Sequence, residues 1–156
     1  MLLFLTAIED RHSRKKLEAL YTRYNKDAFY FCGHGNDDPS DPRISVENKD
    51  DEFNAVLYSS EAVGNWHFVF LDACHTGRSV WADTFNISSS YSDRAYLGWD
   101  GTVDTQPAYE FAQEFWPLVG TMSIRDAAVY AANQVPGSGT TPIRFFGNSS
   151  YDGSAY

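Results

Sequence analysis

The sequence predicts an α/β sandwich with a mainly parallel central sheet, on three observations. Phe68-Val69-Phe70-Leu71 is an unbroken apolar run, the shape of a strand buried on both faces. Strand-like runs alternate with stretches whose apolar residues recur three and four apart, as in helices of about ten residues. Reactive residues gather at the ends of two strands, Cys32-Gly33-His34-Gly35 and Asp72-Ala73-Cys74-His75. Open parallel sheets bind their ligands at the carboxyl ends of strands.

Residues 1 to 8 carry a short apolar run with no basic segment ahead of it, which suits a strand or the remnant of one better than a secretion signal. Leu17, Leu20, Tyr21 and Tyr24 define an amphipathic helix over residues 9 to 24. Ala28 to Cys32 is a short aromatic strand, closed by a sharp exit at Gly33-His34-Gly35. Residues 36 to 52 hold seven acids and two prolines and are expected to be a solvated loop, and residues 53 to 62 accommodate a helix. The strand at 67–72 leads into a serine-rich loop reaching about Asp93, followed by a strand at Ala95 to Trp99. Pro107 to Trp116 has a helical apolar face, and Ser123 with Asp126 resembles a capping box that opens a second helix running to about Gln134. Ile143 to Gly147 is the last strand, with a frayed tail expected from Asn148.

The chain has 156 residues, the size of one domain, and 43% of them are hydrophobic. No run approaches the roughly 18 apolar residues that would cross a bilayer, so no membrane partner is expected. A net charge of -9, with 12 Lys and Arg scattered among 21 acids, argues against nucleic acid and suits a cationic partner. Two cysteines cannot make a disulfide framework and indicate no compartment.

"FYFCGHG", followed some forty residues later by "FLDACHTG", resembles the caspase-like cysteine peptidases, a group that includes metacaspases, gingipains, clostripain and legumain. A strand ending in His-Gly and a later one ending in Asp-x-Cys-x-x-Gly are the pattern. Asp72 stands where caspases have Gln, so metacaspases and clostripain are the closer comparison. "AYLGWDGTV", "FAQEFW" and "IRFFGN" extend the resemblance, from about residue 28 to 147. It implies a three-layer sandwich flanked by helices. Family members carry a further strand and helix ahead of those seen here: either residues 1 to 8 stand in within a minimal domain, or a larger protein has been cut.

The resemblance implies a cysteine endopeptidase that needs no cofactor and cleaves after Arg or Lys in peptide or protein substrates. Cys74 would be the nucleophile and His34 its base, with the main-chain N–H groups of Gly35 and Cys74 holding the oxyanion. Asp72 would bind the substrate's basic side chain, unless it is a structural cap, and Trp99 and Asp100 could line the same pocket, with Trp99 equally suited to the core. His75 adjoins the nucleophile but points elsewhere, as a structural residue or pocket wall. Cys32 reads as core. Zinc on Cys32, His34, Cys74 and His75 does not fit the usual ligand spacing. Some metacaspases need calcium, but the acids from Asp37 to Glu52 match no EF-hand loop and are read as a solvated face. The alternative function is a catalytically inactive interaction or regulatory module of the same fold.

Overall fold

The computed structural model describes residues 2–6, 26–46, 55–60, 66–135 and 142–154. Its centre is a five-stranded sheet of β1 (Leu2–Thr6), β2 (Lys26–Cys32), β6 (Trp66–Asp72), β7 (Ala95–Trp99) and β8 (Ile143–Gly147), in the order β1-β2-β6-β7-β8. The first four strands are parallel and β8 runs antiparallel on the β7 edge. Ala28 to Phe31 on β2, Phe68 to Leu71 on β6 and Ala95 to Trp99 on β7 are buried on both faces, which is why these stretches were apolar runs in the sequence.

One face packs Phe29, Phe31, Val69, Leu71 and Tyr96 against Trp81, Ala82 and Phe85, the last three lying on or just after α1 (Ser79–Thr84). The other packs Tyr30, Phe68, Phe70, Leu97 and Trp99 against α2 (Thr105–Phe115) and α3 (Ile124–Gln134). Helices thus cover both faces of the sheet, the α/β sandwich expected. The buried positions of α3, Ile124, Ala127, Ala128 and Ala131, keep helical spacing. Ser123 caps the helix by accepting the Asp126 N–H at 3.1 Å, as its sequence indicated.

Several expectations need correction. His34–Gly35 is more than an exit: it forms β3, which pairs with β4 (Arg43–Val46), itself paired with β5 (Ala55–Tyr58) in an antiparallel three-stranded sheet. A strand therefore lies within the supposed solvated loop, and another replaces the helix expected at 53–62. The short strands carry too few residues for a period to show, and Ile44 joins the core of the main sheet. The serine-rich loop contains α1, anchored by buried Trp81 and Ala82. The tail is not frayed from Asn148: Tyr151 is buried, its carbonyl accepts the Ile124 N–H at 2.7 Å, and that of Asp152 accepts the Gly120 N–H at 2.7 Å. Residues 2–6 do form a strand, whereas the helix expected at 9–24 lies outside the described residues.

Candidate functional site

Strands β2 and β6 are in parallel register with Cys32 opposite Asp72, so the two motifs leave the sheet side by side. The Gly33 N–H donates to the Asp72 carbonyl at 3.3 Å and carries the chain toward the β6 exit. Gly35 then lies directly against the Cys74 peptide. A Cβ there would overlap the Cys74 carbonyl oxygen and stand 2.9 Å from its carbonyl carbon, so only glycine permits this approach. His34, exposed, immediately precedes that contact.

The ladder between β3 and β4 also orients Gly35. Asn36 donates its N–H to the Arg43 carbonyl at 3.2 Å, and bonded and unbonded pairs alternate in an antiparallel ladder. The next pair, Gly35 with Ile44, is consequently unbonded, and the Gly35 N–H points away from β4.

Cys74 is half-buried and is a free thiol. Its Sγ lies 3.5 Å from the Val103 carbonyl and 3.4 Å from the Val103 N–H that donates to it. The segment after β7 therefore meets the Cys74 sulfur, while Gly35, after β2, lies against the Cys74 main chain. The turn behind it is fixed by Thr76, whose hydroxyl lies 2.7 Å from the carbonyls of both Leu71 and Ala73, and whose own carbonyl accepts from the Tyr96 hydroxyl at 2.6 Å. His75 has its ring 3.2 Å from Asp37 and 3.3 Å from Thr102.

Asp72 is 3% exposed. The Trp99 indole donates to its Oδ1 at 2.7 Å and the Tyr30 hydroxyl to its Oδ2 at 2.8 Å. Burial pushes the carboxyl up to about 6, against the two hydrogen bonds that favour its ionised form. Burial, followed by the Asp72 charge, raises the Cys32 thiol above its usual range, while the Tyr30 hydrogen bond pulls the other way. The same two influences hold the Tyr30 phenol protonated. Cys32 packs beside the core, as expected.

The residues proposed around Asp72 occupy different settings. Trp99 is fully buried, belongs to the core and touches Asp72 through its indole N–H. Asp100 is exposed and pairs with Arg144 at 2.6 Å. Sequence reasoning missed Tyr30, Thr76 and Val103. Tyr30 carried one usable signal, a hydroxyl two residues before Cys32 and hence on the same strand face. Val103 acts through its main chain and left none.

Of the loop acids, Asp38 accepts from the Ser40 N–H at 2.9 Å and from the Ser40 hydroxyl at 2.6 Å, the closure of a turn. Among the described residues, no group of three or more His, Cys, Asp or Glu side chains is placed to share a metal ion. No protein-family profile matches the chain, and no curated protein matches it.

Proposed function

We propose that the protein is a caspase-like cysteine endopeptidase that cleaves after Arg or Lys. The observation that supports this reading is the apposition of Gly35 and the Cys74 main chain, which sets the segment carrying His34 beside the residue some forty positions later that carries the thiol. In the proposed reaction His34 takes the Cys74 proton and the thiolate attacks the scissile carbonyl carbon. The resulting oxyanion is held by the N–H groups of Gly35 and Cys74. Collapse of the intermediate breaks the C–N bond, and His34 returns its proton to the leaving amine, leaving an acyl-thioester. Water, deprotonated by His34, then releases the acid and restores the thiol.

Asp72 would supply the negative charge at the floor of the specificity pocket. Each of its oxygens accepts one described hydrogen bond and retains a further lone pair for a guanidinium or ammonium group. The rival reading, an inactive module of the same fold, draws on the near-complete burial of Asp72 and on the pairing of Asp100 with Arg144.

Fluorogenic peptides ending in Arg, Lys, Asp or Asn, assayed with and without calcium, test the proposal. Cleavage of the Arg and Lys peptides is expected, abolished in Cys74→Ala and lowered by orders of magnitude in His34→Ala. Full turnover by Cys74→Ala would refute it. Failure of a basic acyloxymethylketone to label Cys74, with no cleavage of any peptide, would select the inactive module.

A further inference from the structure

His75 directly follows the candidate nucleophile and adopts a positive φ of 58°. For a residue with a Cβ that conformation is unfavourable and persists only where the surroundings enforce it. The His75 N–H donates to the Gly101 carbonyl at 2.9 Å. Its ring lies between two loops, with Nδ1 3.2 Å from Asp37 Oδ1 and Nε2 3.3 Å from Thr102 Oγ1. Arg78 closes the cluster: Nη2 donates to the same Asp37 oxygen at 2.9 Å and to the Asp37 carbonyl at 3.1 Å.

We infer that His75 is a positioning residue, a clasp that fastens the loop after β3 to the loop after β7 and so fixes the turn presenting Cys74. A carboxylate oxygen accepts, so Nδ1 is the donor to Asp37, and Nε2 faces the Thr102 hydroxyl. Both nitrogens are thereby engaged away from the thiol, which leaves the role of base to His34. The Asp37 side chain is 78% exposed and the His75 side chain 20% exposed. Solvent screens such a pair, so the clasp supplies geometry more than energy. Geometry is what a nucleophile needs, since a displacement of about 1 Å can cost on the order of a hundredfold in rate.

As a statement about turnover, the inference rests on the peptidase reading, and its test separates the two. His75→Gly removes the ring but tolerates the positive φ, whereas His75→Asn tolerates that φ and retains a donor for Asp37. Steady-state kinetics on an Arg peptide should show kcat at least tenfold lower in His75→Gly with KM within threefold of the parent, and recovery to within threefold in His75→Asn. Hydrogen exchange across residues 71–78 should be at least fivefold faster in His75→Gly and Asp37→Ala than in the parent. Parent-like kcat in His75→Gly overturns the inference, as does unchanged exchange. If the parent cleaves no peptide, the peptidase reading falls and exchange alone decides: faster exchange supports the clasp and unchanged exchange overturns it.

Discussion

Asp72 shows how far a single side chain could be read from sequence. Its place at the end of a buried strand signalled a carboxylate in need of partners, and the order of residues around Cys74 was equally legible. The identity of the partners was not, because Trp99 and Tyr30 reach Asp72 from neighbouring strands and sequence spacing does not encode those contacts. They set its behaviour. With its folded value near 6, above the usual carboxylate range, the folded state binds this proton more tightly than the unfolded chain does. The resulting stabilisation is full below about pH 4 and is lost as pH rises through 6. Asp72→Asn keeps the shape and removes the charge, so it should flatten the stability profile between pH 4 and 6 and raise stability at pH 7 by on the order of 1–3 kcal/mol, as urea titrations at several pH values would reveal. The same substitution should lower kcat/KM for Arg substrates at least tenfold, about 1.4 kcal/mol of transition-state stabilisation. In the parent, preference for Arg over its uncharged isostere citrulline should weaken as pH falls below 6. If Asp72→Asn cleaves Arg peptides as well as the parent does, the carboxylate is a structural cap and Asp100 becomes the acid to substitute.

Among the elements, the strands of the main sheet were legible where burial on both faces leaves little choice but apolar residues, as in Phe68 to Leu71. The small sheet was hidden for the opposite reason. Its strands are two and four residues long, exposed Arg43 alternates with buried Ile44, and acids and prolines lie between them in sequence. The six residues of α1 fall short of two helical turns, so no apolar period could emerge. Yet β3 is the element that sets Gly35 against the Cys74 main chain, with His34 next to it in sequence, so the hidden sheet positions the legible motif. Gly35→Ala tests that dependence. The added methyl meets main chain rather than a movable side chain, so β3 or the Cys74 turn must shift. Overpacking of this kind costs about 1–3 kcal/mol, and a lower denaturation midpoint is expected. Catalysis should suffer more, with kcat/KM at least a hundredfold lower, because the displaced groups include the proposed oxyanion donor. A variant with parent-like turnover would show that the close approach is structural only.

Across the whole molecule, the excess of 21 acidic over 12 basic residues produces a net charge of -9, which the sheet and its buried strands do not need. Charge on this scale attracts cations over distances comparable with the Debye length, about 10 Å at 0.1 M salt, and its effect falls as salt is added. Buried Asp72 behaves differently, because a charge within the fold is screened far less. If the protein cleaves after basic residues as proposed, two electrostatic contributions to that specificity can be separated by salt: recognition of one side chain at Asp72, and steering of the whole substrate by the acidic surface. A peptide with a single Arg before the scissile bond should retain most of its kcat/KM between 20 and 500 mM NaCl, a range over which the Debye length shrinks about fivefold. A peptide carrying three further basic residues should start higher and fall several-fold more steeply, with the change confined to kcat/KM and kcat little affected, since steering acts on encounter. Equal salt slopes for the two peptides would show that the surface charge contributes nothing to substrate capture and that discrimination resides in the pocket.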